Sequence, residues 1–315
     1  ACLRTTSSAP PRSTPCLSSE RIIRGLVTAA YGRRFLVECA DGITRDCVTR
    51  GKRNDFACGD DVTVAVQNDS QGAINDCAPR KSLLYRSDQW KQKLIAANVT
   101  QVVAVVAPVP SFDLNVLDCC LAAAAHAGID ALIVLNKAEL PEAAVSEGVL
   151  APFATLGYPL LKLVARDNIG PLRPLLDGKR SVLVGESGMG KSTILNQLLP
   201  EAVAQTREVS ASLGTGKHTT THARLYHLDA RSELIDTPGV QAFGVHHLGF
   251  EDLASAFIEF RPLLGQCRFR DCRHLAEPGC ALVAAEAAGT VSARRLASYR
   301  RLAEENIRLK RPDWA

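Results

Sequence analysis

Between Arg21 and about Arg80, short stretches of alternating apolar and polar residues are cut by turn residues. The runs RGLVTAA, RRFLVEC, ITRDCVT, VTVAVQ and GAINDCA are separated by YG, ADG, CGDD and NDSQG. A period of two marks a strand with one buried face, and Gly, Asn and Asp supply the turns between strands. Five short strands in about sixty residues predict a small barrel of the oligonucleotide-binding (OB) type.

From Asn98 the pattern changes to strand and helix in alternation. VTQVVAVVA (99–107) is an unbroken apolar run, as expected of a parallel strand covered on both faces. A helix over 114–127, a strand over 131–135, a helix near 142–150 and an apolar segment over 159–165 follow. RSVLVG (180–185) then enters a Gly-rich turn and the helix KSTILNQLL, and a polar Thr/Gly stretch leads to ARLYHLD and SELIDTPG. This is a doubly wound α/β pattern. The remaining stretch carries a Cys/His cluster and the helix SARRLASYRRLAEENIRLKR, whose apolar stripe is Leu296, Tyr299 and Leu302. The chain is therefore expected to be multidomain. The expected boundaries are a flexible tail over 1–20, an OB-type barrel over 21–82, an α/β domain with its linker over 83–245, and a metal-binding, basic helical domain over 246–315.

Composition narrows this picture. With 315 residues, 46% of them hydrophobic, there is enough apolar material for more than one core. A net charge of +4 is compatible with a nucleic-acid partner without requiring one. Eleven cysteines, mostly single and odd in number, fit a reducing compartment better than a disulfide framework. The longest apolar stretch, Leu114 to Leu135, is broken by Asp118, His126 and Asp130, so it reads as helix and strand and not as a membrane span. Residues 1–20 hold no hydrophobic segment of signal-peptide length. The expectation is a cytoplasmic protein.

The segment Gly185-Glu186-Ser187-Gly188-Met189-Gly190-Lys191-Ser192, followed by Thr193, fits G-x-x-x-x-G-K-[ST] between an apolar strand and a helix. Glycines let backbone N–H groups curl around phosphates, and the helix N-terminus adds partial positive charge. Lys191 would reach the β- and γ-phosphates, and the Ser192 hydroxyl could ligate magnesium. The alternative is a Gly-rich turn holding nothing, which the complete motif in this context disfavours. ELIDTPGV places a carboxylate, Asp236, at a strand end near that magnesium, and Gly239 offers a backbone N–H to the γ-phosphate. Between them, LGTGKHTTTHARL (213–225) is where a switch loop would lie, with Thr220, flanked by Thr219 and Thr221, completing the metal shell. Its bland reading is a polar loop whose threonines cap the next strand.

Asn136-Lys137-Ala138-Glu139 ends an apolar strand and nearly matches Asn-Lys-x-Asp, in which a carboxylate accepts hydrogen bonds from guanine that adenine cannot donate. Standing alone it would be a helix-opening turn. Ala165, at the end of LKLVA, sits where a backbone amide could support the base. The order is base-reading motif, base-supporting loop, phosphate loop, switch loop, Asp-Thr-Pro-Gly. That is the order of a P-loop GTPase rotated, a permutation the chain tolerates because domain termini lie close together at the surface.

In these motifs the chain resembles the ribosome small-subunit-dependent GTPase A family, circularly permuted GTPases of bacteria. The likeness rests on GESGMGKST, GTGKHTTTHARL and DTPGV in permuted order, followed by the Cys/His cluster, and leaves out only residues 1–20. It implies a circularly permuted P-loop GTPase domain between an OB barrel and a zinc domain. It also implies GTP hydrolysis stimulated by the small ribosomal subunit during its maturation. Glu139 in place of aspartate and LVARDN in place of a Ser-Ala-Lys type loop depart from the family pattern. Val240 stands where many GTPases carry a water-positioning glutamine, and valine cannot orient water. The resemblance points instead to His218 as the catalytic group, beside Lys191.

Cys267, Cys272, His274 and Cys280 are spaced C-x4-C-x-H-x5-C, a closed tetrahedral donor set for one structural zinc ion. Cys119-Cys120 reads as buried small apolar residues, and His246-His247 as outside any ligand set. Arg50, Lys52, Arg53, Arg80, Lys81 and Arg86 of the barrel region are basic, as are Arg268, Arg270 and Arg273 between the zinc ligands. Arg294, Arg295, Arg300, Arg301, Arg308, Lys310 and Arg311 are placed on or near the outer face of the last helix. Together they suggest a phosphate-rich RNA partner. The resemblance implies that this is the ribosomal RNA of the small subunit, with GTP and GDP as nucleotides. Nothing in the sequence demands more than a monomer. Two rivals stay open: an RNA-binding module whose nucleotide domain is only regulatory, and an ATP-using phosphotransferase. Comparing GTP with ATP separates the second rival, and testing whether turnover matters separates the first.

Overall fold

The computed structural model describes residues 21–50, 55–88, 91–200, 223–237 and 243–310. The expected tail, Lys52, Arg53, His218, Thr219, Thr220, Thr221, Gly239, Val240 and Arg311 lie outside them.

Alternation in the N-terminal runs produces five strands: β1 (Ile22–Tyr31), β2 (Arg34–Cys39), β3 (Thr44–Thr49), β4 (Asp61–Val66) and β5 (Gln71–Cys77). They form the ring β1-β2-β3-β5-β4, which closes because β1 pairs with both β2 and β4. Closure removes the exposed edges of a five-stranded sheet. The inward positions Val27, Phe35, Val37, Val62, Val64 and Ile74 fill the barrel, with Phe35 edge-on to Phe56 at 5.8 Å. The barrel is thus the OB-type element that the pattern predicts.

The hairpin β6 (Leu83–Asp88) and β7 (Lys91–Ala97) was not foreseen. Its tip, RSDQWKQK, has no apolar alternation, so only its base carries a strand signal. Leu84, Ile95 and Ala96 are buried there.

The central region holds β8 (Gln101–Val106), α1 (Leu114–His126), β9 (Asp130–Asn136), α2 (Ala143–Thr155), β10 (Leu160–Leu163), α3 (Arg173–Leu176), β11 (Arg180–Val184), α4 (Lys191–Leu198), β12 (Arg224–His227) and β13 (Glu233–Asp236). Strand order is β10-β9-β8-β11-β13-β12, parallel except for β12. The unbroken apolar run of β8 serves two cores. Val102, Ala104 and Val106 face α1 and the C-terminal helices, while Val103 and Val105 face α4. In a parallel order, the ends of β9, β11 and β13 come to one edge of the sheet, which positions the site.

The barrel joins this sheet where β1 pairs with β12 at Ala29 and Arg224. Arg180 Nη1 donates to the Gly59 carbonyl at 2.7 Å, and Glu38 meets His227 at 2.8 Å. The C-terminal region contains α5 (Phe250–Ala256), α6 (Ala281–Ala287) and α7 (Ala293–Lys310). Leu296, Tyr299 and Leu302 of α7 are buried, as its stripe requires.

The basic face expected on α7 is corrected by the structure. Arg295 is buried against Asp118 of α1 at 2.6 Å and Glu259 at 2.5 Å, and Arg294 reaches the same Asp118 at 2.6 Å. Arg300 faces Glu286 at 3.7 Å, and Arg301 bonds Glu305 at 2.6 Å. Arg294, Arg295 and Arg300 thus tie α7 to neighbouring elements, while Arg301 pairs within α7 and Arg308 is exposed. Arg80, also expected to face RNA, makes two 2.7 Å bonds to the buried carboxylate of Asp60. Because Asp118 is fully buried between two guanidinium groups, Asp118→Ala would leave Arg294 without its carboxylate and the buried Arg295 with Glu259 alone. We expect a loss of about 3–5 kcal/mol, read from urea unfolding followed by far-UV circular dichroism. Among the described residues no helix is long and apolar enough to cross a membrane.

Candidate functional site

The phosphate-loop motif sits between β11 and α4, with Gly190 as the residue before the first helical turn at φ 94°. A Cβ on Gly190 would lie 2.1 Å from Asn136 Nδ2, so only glycine allows the two loops to meet. Gly185, at φ 141°, comes equally close to the Val105 carbonyl, where a Cβ would stand 2.2 Å away. The loop is thereby pressed onto β8 and β9.

Asn136, at the end of β9 and 2% exposed, connects three segments. Its Nδ2 donates to the Met189 carbonyl at 3.0 Å, and its Oδ1 accepts from the Ala165 amide at 3.1 Å. The Ala165 amide, expected to support a base, is bonded to Asn136 in this structure, tying the loop after β10 to the end of β9. Lys137 has φ 57° and donates from Nζ to the Val109 carbonyl at 2.6 Å. Glu139 is exposed beside them. Within the phosphate loop, Ser187 and Gly188 are exposed, while Glu186 accepts a 2.7 Å bond from the Asp113 amide ahead of α1. Glu186 thus joins the loop to α1, a link with no sequence signature.

Lys191 folds back on the loop, donating to the carbonyls of Gly185 at 2.5 Å and Glu186 at 2.8 Å. Burial lowers its pKa from the ordinary lysine value, opposed by the Asp236 carboxylate. Burial in turn raises Asp236, opposed by Lys191. Each group would be relieved by an ion of opposite charge: Lys191 by a phosphate, Asp236 by a cation. Ser192 is exposed in the first turn of α4, with Thr193 half-buried behind it. Thr237 follows Asp236 and donates to the Leu183 carbonyl at 3.0 Å, clamping the end of β13 onto β11. A hydroxyl and a half-buried carboxylate on neighbouring elements are a donor set suited to Mg²⁺.

The second site is the Cys/His cluster. The Nδ1 of His274 lies 3.5 Å from Cys267 Sγ, 3.6 Å from Cys272 Sγ and 3.4 Å from Cys280 Sγ. A tetrahedral zinc with ordinary Zn–S and Zn–N bonds requires S···N edges of about 3.6 Å. The four donors therefore already describe the tetrahedron, with Nδ1 as the imidazole ligand, and could hold one metal ion. Burial lowers the pKa of His274, favouring the neutral ring that binds metal. The Ala281 amide donates to Cys267 Sγ at 3.3 Å, and Tyr299 donates to the Arg273 carbonyl at 2.7 Å, bracing the cluster from outside. His246 bonds Asn306 at 3.0 Å, away from these ligands. Cys119 and Cys120 are buried, and burial raises the Cys120 thiol to about 12.

A model of the RsgA GTPase family matches residues 77–246. The small ribosomal subunit biogenesis GTPase RsgA of Neisseria meningitidis is 53% identical over 279 residues, covering 89% of this chain and 91% of that protein. Its namesake in Nitrosomonas europaea is 50% identical over 285 residues, covering 89% and 90%. Among solved structures, YjeQ from Thermotoga maritima superposes with a TM-score of 0.71 at 27% identity, over 93% of this chain and all 100% of that one. YloQ, described as a circularly permuted GTPase, has a TM-score of 0.66 at 24% identity and shares the fold, over 95% and 100%.

Proposed function

The chain belongs to the RsgA GTPase family and is a GTPase, and on that premise we propose that it acts in late maturation of the small ribosomal subunit, which stimulates its hydrolysis of GTP. In this reading it works as a cytoplasmic monomer and holds ribosomal RNA through the barrel and the zinc region. The observation that carries it is the convergence at one sheet edge of the Asn136 loop, the phosphate loop and Asp236.

Backbone amides of Gly185 to Lys191 would cradle the phosphates, with Lys191 leaving the loop carbonyls for the β- and γ-oxygens. Ser192 and Asp236, joined by Thr220, would hold Mg²⁺, which would supply neutralisation of the phosphate charge. Gly239 would donate its amide to the γ-phosphate. Glu139, one methylene longer than aspartate, would accept from guanine, with the Lys137 stem across the ring and Asn136 keeping both loops in place. His218 would position or activate water, ordered together with Thr220 when the ribosomal subunit is bound. Zinc at Cys267, Cys272, His274 and Cys280 would serve structure alone.

The decisive experiment is steady-state hydrolysis of GTP, with ATP in parallel, with and without purified small subunits. Slow GTP turnover that rises strongly with the small subunit is the expected result. Equal use of ATP, or no stimulation, would reject this reading in favour of the rivals. A second expectation concerns geometry. Gly190→Ala forces a methyl into Asn136 at a positive φ, so affinity for a fluorescent GTP analogue should fall by about 5- to 100-fold. Wild-type affinity in that variant would mean the two loops need not touch.

A further inference from the structure

The structure redistributes the positive charge of the C-terminal region. Of the α7 arginines that the sequence offers to RNA, Arg294, Arg295, Arg300 and Arg301 each face a carboxylate within the protein, while Arg308 is exposed. The loop between the first two zinc ligands differs. Arg268 and Arg270 are exposed and have no carboxylate partner among the described residues. Between them stands Phe269, 43% exposed, the one exposed ring among the nine phenylalanines of the chain.

A single exposed apolar side chain is ordinary on a protein surface; what sets Phe269 apart is an aromatic ring standing between two exposed arginines. This ring is also held in place. Cys267 and Cys272 anchor both ends of its loop, the Arg268 amide donates to the Gly279 carbonyl at 3.0 Å, and the Cys272 amide donates to the Phe269 carbonyl at 3.4 Å. Gly279 has φ 76°, and a Cβ there would come within 2.8 Å of the Arg268 Cβ, so the two strands of the loop are in close contact. The Arg268 guanidinium lies over the Phe269 ring, 5.4 Å from its centroid, so one face of the ring already carries a cation and a base would use the other. An exposed ring backed by one guanidinium, with a second exposed arginine next to it in the loop, suits one partner chemistry: an unpaired base stacking on the ring while its neighbouring phosphates meet the arginines. A base-paired duplex presents no free base face and would gain nothing from the ring.

We propose that the Cys267–Cys272 loop is a stacking platform for single-stranded RNA, with Phe269 receiving an unpaired base and Arg268 and Arg270 its flanking phosphates. This rests on the reading that the zinc region grips ribosomal RNA, and specifies which form of RNA it selects.

The test uses the full zinc-loaded chain and a fluorescein-labelled RNA of roughly 12 nucleotides, single-stranded or annealed to its complement, followed by anisotropy. Phe269→Ala and Phe269→Leu should weaken single-strand binding by about 5- to 150-fold, and Phe269→Trp should retain it. Duplex binding should be unchanged in all three. The double variant Arg268→Ala/Arg270→Ala should lower the salt slope by roughly 1.4, which the Phe269 variants should leave alone. Phe269→Leu keeps bulk and apolarity, so it decides the matter even if Phe269→Ala loses its zinc. Unaltered single-strand affinity in Phe269→Leu would overturn the stacking platform while leaving RNA binding by the zinc region intact. Equal losses on single strand and duplex would overturn it too. Failure of the unsubstituted chain to bind either RNA would instead remove the broader reading and this one with it.

Discussion

Lys191→Ala is expected to lower GTP turnover by about 10²- to 10³-fold, with and without the small ribosomal subunit. The reason is local. Lys191 is the cation that burial places among the phosphate-loop carbonyls, where its charge is poorly solvated and its pKa is lowered. A phosphate arriving there replaces two carbonyl contacts with a charge-assisted one, and no other lysine or arginine precedes it in the loop. Lys191→Arg should rescue little, because the guanidinium is planar and larger than the space an ammonium fills. Folding should survive: removing the ammonium relieves its desolvation, and the loop keeps its ties through Asn136 and Glu186. The check is turnover measured beside thermal unfolding, and RNA binding without nucleotide should be close to that of the parent. Turnover within a few-fold of the parent would show that the loop does not hold the transferred phosphate.

Removal of the metal should have the largest effect on stability. Stripping the protein with a strong chelator, or replacing Cys280 by serine, is expected to unfold residues from about 264 to 290, because structural zinc contributes roughly 10–16 kcal/mol in small zinc modules. Residues 264–280 have little core of their own. Most of them are exposed, and their contacts to the body include the cluster and the bonds from Tyr299 and Arg300 of α7. The consequence should stop short of the nucleotide site, whose loops are tied by Asn136, Glu186 and Thr237 and not by the cluster. Metal analysis should therefore find one zinc per chain. The chelated protein should show increased proteolysis within the cluster segment while basal GTP hydrolysis persists. A chelated chain with unchanged proteolysis would mean the four donors need no ion.

Much of this was legible along the chain. A period of two at 21–80 announced a barrel, and an apolar run at 99–107 announced a strand buried on two faces. The phosphate loop and the zinc spacing declared their chemistry, because both rest on residues within one short turn or loop. Local rules suffice where backbone conformation and ligand spacing are local. Even the permutation could be read, since it concerns only the order of motifs.

Tertiary structure alone decided which charges are free and which amides are taken. No periodicity distinguishes Arg295, buried on Asp118 and Glu259, from Arg270, exposed on the zinc loop. Asp118 and Arg295 lie far apart along the chain and meet only because α7 returns to pack on α1. The Ala165 amide, expected to support a base, is bonded to Asn136, a partner brought to it by the pairing of β9 with β10. The hairpin β6–β7 escaped notice because its strands stabilise each other across the pair and not by a pattern within either one. A sequence records which groups a chain owns. Their desolvation and pairing depend on neighbours distant in the chain, and those neighbours are fixed by packing.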